Sequence, residues 1–328
     1  MRSVSNTWAV VLAGGEGSRL KELTTTAAGE TIPKQFCSMR RDTCLLEDAL
    51  KRAEAVALSQ HICSVVASQH RRWWSGALKN LPAQNIFAQP SNRGTAHGIL
   101  LALLQIEKRA SNAIAVLLPA DHYLTDEVTM ARSLRMTANL AADNEGLVYL
   151  LGAEPDRPDH ELGYIVPSAH RRDAPADVVR FVEKPATALA RDLIREGALW
   201  NTFILAGSVR SLLNLFEGCF APTMKDMRRA LEPGTSELAG SVALELVYAD
   251  LEPQDFSRDV LERHEQILQV LRVPNCGWTD LGTPKRVEEA ARTLARVRLP
   301  LTTVHSATGV GYLDLASNPR QMRLPQGS

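Results

Sequence analysis

Trp8-Ala9-Val10-Val11-Leu12-Ala13-Gly14-Gly15-Glu16-Gly17-Ser18-Arg19-Leu20 is the stretch on which the reading of this chain turns. Residues 8–12 are a short apolar run with the composition of a buried strand. The glycines that follow at once let the backbone turn with positive φ and approach a ligand closely. Backbone N–H groups in such a loop can point at phosphate oxygens, and Arg19 adds a forked cation suited to bidentate phosphate contact. Taken alone, the glycines also fit a plain tight strand–helix turn; their position after a strand and the presence of Arg19 favour a phosphate loop. The spacing is not the GxGxxG of a dinucleotide site, which argues against a nicotinamide dehydrogenase, and no Gly-Lys-Ser/Thr follows to make a Walker A loop.

Outward from this stretch, strand-like runs at 62–67, 113–118 and 147–152 alternate with helical periodicities at 45–57, 98–110 and 127–142. The second half continues less regularly, with strands expected at 178–183, 202–206 and 267–273 and helices at 186–196, 208–216 and 285–297. Such alternation predicts an α/β fold: a Rossmann-like mixed, mostly parallel sheet with helices on both faces. No Pro/Gly/Ser linker divides the first ~290 residues. The expected organisation is one catalytic domain over 1–298 and a short, loosely ordered tail over 299–328.

The length, 328 residues, is ample for a full core. Lys plus Arg and Asp plus Glu number 37 each, so the formal charge is zero. That balance argues against nucleic acid as a partner but not against a small phosphorylated ligand. The five cysteines, Cys37, Cys44, Cys63, Cys219 and Cys276, are widely spaced with no CxxC. They predict neither a disulfide framework nor a zinc site and fit a reduced, cytoplasmic setting. The apolar runs are too short for a membrane span, and the polar residues 1–7 do not read as a signal peptide.

Pro33-Lys34-Gln35-Phe36 comes fifteen residues after Arg19. With the glycine loop it resembles the GGxGxRL…PKQF signature of the sugar-1-phosphate nucleotidyltransferases, and its PKQF form is most like that of the mannose-1-phosphate guanylyltransferases. Gln89-Pro90-Ser91-Asn92-Arg93-Gly94-Thr95-Ala96 resembles the family's base-recognition segment. Leu118-Pro119-Ala120-Asp121-His122 is similar to LPxDH, Gly163-Tyr164-Ile165 to the end of GYGYI, and Trp200-Asn201 to the start of WNSG. Phe181-Val182-Glu183-Lys184-Pro185 matches FVEKP in full, and Gly277-Trp278-Thr279-Asp280-Leu281-Gly282 resembles GWxDxG. Seven motifs in the family's order are far more specific than any one of them.

Asp121 lies just past the end of a strand, the edge where open α/β sheets bind ligands, and Asp280 sits beside glycine in a loop. Each also suits a capping or Asx turn. Two carboxylates suffice for Mg²⁺, which keeps several waters and otherwise binds substrate phosphates, and the resemblance implies that these two hold it. It further implies that Leu12, Ala13, Gly14, Gly15, Gly17, Gln89, Gly94 and Thr95 bind a nucleoside triphosphate, and that Gly163, Glu183, Lys184 and Asn201 bind a sugar 1-phosphate. Arg19, Lys34 and Lys184 are then the catalytic cations. His122 reads as a supporting residue, since no second histidine has metal-ligand spacing, and Trp200 reads as core.

The expected reaction is Mg²⁺-dependent transfer of a nucleoside monophosphate, GMP from GTP first, to a sugar 1-phosphate, mannose 1-phosphate first. Gln89-Pro90 followed by Gly94 also resembles thymidylyl and uridylyl enzymes, so the same reaction with dTTP or UTP and another hexose is the alternative. A non-catalytic nucleotide-sugar-binding homologue usually loses an arginine, lysine or metal aspartate, and this chain keeps them all. Two departures fall on the sugar side: His160-Glu161-Leu162 stands where the family usually has Thr-Gly-Tyr, and Thr202-Phe203 where it has Ser-Gly, so a phenylalanine narrows or reshapes that pocket. The ~30 residues after Arg298 are short for the β-helix tail of many relatives and leave no room for the β-barrel isomerase domain of long members. A homodimer is compatible with the chain, though no residue pattern encodes it.

Overall fold

The computed structural model describes residues 6–40, 42–169, 174–232, 237–297 and 313–317. In chain order its strands are β1 (Thr7–Ala13), β2 (Ile62–Ala67), β3 (Ile86–Gln89), β4 (Ile114–Pro119), β5 (Val148–Ala153), β6 (Tyr164–Pro167), β7 (Ala176–Val182), β8 (Leu199–Ser208) and β9 (Leu268–Arg272). Its α-helices are α1 (Lys21–Thr24), α2 (Leu45–Ala53), α3 (Arg71–Ala77), α4 (Thr95–Arg109), α5 (Glu127–Asp143), α6 (Thr187–Arg195), α7 (Val209–Ala230), α8 (Glu237–Ala249), α9 (Phe256–Asp259) and α10 (Pro284–Val297).

Successive side chains of a strand point to opposite faces, and β1 shows what that does here. Ala9, Val11 and Ala13 face one apolar core, which α2, α5 and α10 cover. Trp8 and Val10 face a second core, covered by α4 and α7. β4 divides in the same way, with Val116 and Leu118 on the first face and Ala115 and Leu117 on the second. Because both faces are buried, these strands read as continuous apolar runs rather than alternating ones. A third, smaller core joins β6 and α6 through Tyr164, Leu193 and Trp200.

The sheet has nine strands in the order β3-β2-β1-β4-β8-β5-β9-β7-β6. It is mixed, in keeping with the expected fold class. β1, β2, β3 and β4 are parallel neighbours, and β5 and β9 are parallel too. Only β7 and β8 run against the rest.

The expected elements recur with shifts at their ends. Periodicity predicts that the helix after 208 stops at 216, whereas α7 runs through Pro222 to Ala230 because its apolar face, including Phe220, Met224 and Met227, continues beyond the proline. β3 and β6 have four residues each and present no readable pattern; α3, α8 and α9 also lie outside the expected elements. In the region expected as a tail, the described residues 313–317 dock on the body: Ser38 bonds backbone to backbone with both Leu313 and Leu315, and Leu315 is fully buried. All five cysteines are free. Among the described residues no helix is long and apolar enough to cross a membrane.

Candidate active site

β1, β3 and β4 deliver their carboxyl ends to one edge of the sheet, where the residues that follow them line a cleft of about 480 Å³. The glycine loop follows β1, Gly94 and Thr95 lie between β3 and α4, and Asp121 follows β4. Gly94 holds φ 86, and a Cβ there would lie 2.1 Å from the carbonyl oxygen of Gln254, so only glycine serves. The hydroxyl of Thr95 accepts a hydrogen bond from the backbone N–H of Phe256 at 2.9 Å. The start of α4 is thereby tied to the 253–258 segment, which sequence reasoning leaves unassigned.

The opposite wall comes from β6, β7 and β8. Gly163 and Asn201 are joined by a backbone hydrogen bond of 2.8 Å. A Cβ on Gly163 would stand 2.5 Å from Oε2 of Glu183, so the missing side chain is what admits that carboxylate. Lys184 adopts φ 50 and sets its Nζ 2.8 Å from Glu183 and 3.8 Å from Asp255. Burial works against the Lys184 charge, but these carboxylates outweigh it and raise its pKa; burial pushes Glu183 up in turn. Lys184 remains half-exposed, a cation presented to the cleft.

Asp121 and Asp280 both line the cleft, brought there from distant parts of the chain. Lys34 connects them: its Nζ lies 2.8 Å from Oδ2 of Asp121 and donates to the backbone carbonyl of Asp280 at 2.6 Å. Burial raises both carboxyl pKa values, but neighbouring cations outweigh it and hold both below the usual range, Lys34 chiefly for Asp121 and Arg286 chiefly for Asp280. His122 is driven down to about 4 by burial. Its neutral ring accepts the Trp278 indole N–H at Nδ1, 3.2 Å away, which leaves the Nε2 proton facing Asp121.

Lys34 does not line the cleft. The turn Lys34–Phe36 is wholly buried and Lys34 is 4 % exposed. Its ammonium is held between the Asp121 carboxylate and the Asp280 backbone carbonyl. Ala13 and Gly17 do not line the cleft either: the carbonyl of Ala13 accepts from the Gln35 amide, and Gly17, at φ 63, turns the loop against Lys34. Leu12, Gly14, Gly15, Arg19, Gln89, Gly94, Thr95, Asp121, Gly163, Glu183, Lys184, Asn201 and Asp280 do converge on it.

Two cross-links escape the sequence reading. Glu161, in one of the departing stretches, ion-pairs with Arg19. Its backbone N–H donates to Oδ1 of Asp159, and Arg286 forks between Asp159 and Asp280. One short segment therefore joins the glycine-loop arginine to a cleft aspartate. The signal for Arg286 is only its place six residues after Asp280, in the first turn of a helix; nothing local names its partners.

The donor set fits a hard divalent cation. Asp121 and Asp280 each commit one oxygen strongly to a cation, and a carboxylate has about four lone-pair sites, so both keep acceptor capacity toward the cleft. Among the described residues no group of three or more His, Cys, Asp or Glu side chains is arranged to hold a metal, so such an ion would draw its other ligands from water and substrate phosphates, as Mg²⁺ does.

An α/β sheet with a glycine loop, two gathered aspartates and a lysine-bearing opposite wall defines a class, and the chain belongs to the nucleotidyl transferase family, whose model matches residues 8–297. Among curated relatives, the alginate biosynthesis protein AlgA of Pseudomonas aeruginosa is 31 % identical over 198 residues, 59 % of this chain and 40 % of its own length. The mannose-1-phosphate guanylyltransferase of Escherichia coli K12 is 28 % identical over 291 residues, 85 % of this chain and 58 % of its own. The chain thus spans about half the length of these relatives. Among solved structures, a mannose-1-phosphate geranyltransferase from Thermus thermophilus superposes with a TM-score of 0.72 at 28 % identity, over 91 % of this chain and 82 % of that one. A UDP-glucose pyrophosphorylase in complex with UDP-glucose shares the fold at 15 % identity and a TM-score of 0.57, over 89 % of this chain and 99 % of that one.

Proposed function

We propose that the protein transfers a nucleoside monophosphate, GMP from GTP, to mannose 1-phosphate, forming a nucleoside-diphosphate sugar and pyrophosphate. The observation that carries this reading is the pair Asp121 and Asp280, joined through Lys34 and set between a glycine loop on one wall and Glu183, Lys184 and Asn201 on the other. GTP and mannose 1-phosphate are favoured by the PKQF form of the loop motif and by the mannose-1-phosphate guanylyltransferases among the relatives.

A phosphate oxygen of the sugar phosphate attacks the α-phosphorus. The new P–O bond forms as the bond to the α,β-bridging oxygen breaks, and pyrophosphate leaves with that electron pair. The nucleophile is already ionised near neutral pH, so no general base is needed, and catalysis is positioning and charge stabilisation. Lys184 aligns the sugar phosphate, and Asn201 and the Gly163 backbone take sugar hydroxyls. Arg19 and the glycine-loop amides receive the triphosphate, with Gln89, Gly94 and Thr95 beside the base. Lys34 fixes the two aspartates. Mg²⁺ held by Asp121 and Asp280 would supply the charge neutralisation that lets two anionic phosphates meet.

Pyrophosphate release is the test. GTP, UTP, dTTP, CTP and ATP are each paired with mannose, glucose and N-acetylglucosamine 1-phosphates in the presence of Mg²⁺. The GTP and mannose 1-phosphate pair is expected to be fastest and to stop with EDTA. Arg19→Ala and Asp280→Asn are each expected to cost about 10²-fold or more in kcat. No release from any pair overturns the reading and leaves a nucleotide-sugar-binding protein.

A further inference from the structure

β8 is irregular where it passes the cleft. Leu205 pairs with Leu150 of β5, yet Asn201 pairs with Gly152, so three residues on β8 stand opposite one on β5. The extra residues form a bulge, a device that re-aims a side chain beside a site. Its amides are satisfied locally: Phe203 N–H donates to Oδ1 of Asn201 at 3.0 Å, and Ile204 N–H to the hydroxyl of Thr202 at 3.3 Å.

At the bulge, Phe203 adopts φ 56. For a bulky residue the left-handed region is strained, and such strain collects at functional sites. Glycine would hold this conformation freely, so the ring persists at a cost. Phe203 is also the one incompletely buried residue of β8. Its ring lines the cleft and meets the Phe256 ring at 6.1 Å between centroids. Phe256 reaches across to Thr95 through its backbone N–H, and Phe203 is tied to Asn201. The phenyl group thus stands in the cleft beside the wall that carries Asn201, where it occupies space that glycine would leave open.

We infer that Phe203 sets the size limit of the sugar 1-phosphate subsite, admitting an unsubstituted hexose 1-phosphate and excluding one that carries an acylamino group. The inference rests on the reaction proposed above. The bulge turns the ring into the space beside Asn201, and the strain is retained because the smaller residue would leave that space open.

The test compares kcat/KM for mannose 1-phosphate and N-acetylglucosamine 1-phosphate, at saturating GTP and Mg²⁺, in the wild type, Phe203→Gly and Phe203→Leu. Phe203→Gly is expected to shift the ratio toward the N-acetyl sugar by about tenfold or more, the scale on which a pocket distinguishes small apolar groups. Phe203→Leu, which keeps bulk, is expected to stay near the wild-type ratio. A glycine variant that melts cooperatively and leaves the ratio unchanged overturns the inference. Calorimetric binding of the same two sugar phosphates gives a second readout that needs no turnover: an unchanged affinity ratio also overturns it. A wild type that releases no pyrophosphate from any pair refutes the reaction instead, and the binding ratio then still decides the role of Phe203.

Discussion

Replacing Arg286 with methionine removes one guanidinium and deprives two carboxylates of the cation they share. The Arg286 side chain is 6 % exposed; its partners Asp280 and Asp159 are 10 % and 16 % exposed. Breaking a buried pair by deleting one partner costs about 3–5 kcal/mol, because the remaining charge is desolvated without compensation. The stem of methionine preserves much of the packing under Trp200, whose ring lies 5.9 Å from the guanidinium carbon. A chain of 328 residues has an unfolding entropy of about 0.7 kcal/mol/K at the usual per-residue value, so that loss corresponds to a Tm lower by roughly 4–7 °C. The assay is thermal unfolding by circular dichroism and calorimetry without substrate. Adding Asp159→Asn to Arg286→Met removes one of these charges and is expected to recover part of the loss, a positive coupling in a double-mutant cycle. A single variant within a degree of wild type, or a double variant whose losses simply add, refutes the reasoning.

Glu161→Gln frees the guanidinium of Arg19. The pair is partly exposed, so its release is expected to tighten binding of inorganic pyrophosphate only about two- to fivefold; calorimetry showing equal or weaker binding contradicts a competing role for Glu161. His97 lies against Phe220 with its Nε2 3.0 Å from the Glu252 carbonyl, and burial lowers its pKa below the usual 6.5. The unfolded chain therefore binds this proton first, so stability is full above pH 6.5 and falls as pH drops below it. Urea titrations from pH 7.5 to 5 are expected to show that slope and His97→Gln to reduce it; equal slopes defeat the account. Cys219 is exposed, whereas burial pushes Cys37 up to about 12 and Cys276 to about 11 and raises Cys44 and Cys63 further. Iodoacetamide on the native protein is expected to modify Cys219 well before the others, as read by peptide mass spectrometry; early modification of Cys37 contradicts the packing around Lys34.

What can be read from the sequence is what is local. The run 8–12 is apolar at every position because both faces of β1 are covered, and the glycine loop follows it without interruption. β2 and β4 show equally plain runs, and their neighbours α4 and α5 repeat with helical period. β3 and β6 carry four residues at the ends of the sheet, too few for a period to emerge. The motif residues mostly meet in the cleft, because most sit near strand ends or in the loops after them, which the fold delivers to the same edge. The burial of Lys34 is not legible locally, because its neighbours in sequence do not disclose that Asp280 caps its ammonium from across the fold. Arg286 and Glu161 are missed for the same reason: their partners Asp159 and Arg19 lie 127 and 142 residues away. Phe203 is visible as a departure, but the bulge that aims it is a property of pairing between β5 and β8, and no single strand records it.

Lys34 and Asp280 meet across 246 residues of chain. During synthesis, the strands β1 to β4 emerge with the glycine loop well before β9 and the aspartate that follows it. Such long-range closure comes late because its loop entropy must be met before the contact returns anything. A nascent chain therefore carries β1 to β4 and the glycine loop before the second cleft aspartate exists. The cleft gains its second aspartate only when the loop after β9 has docked on Lys34, so an intact pair of cleft carboxylates certifies complete folding.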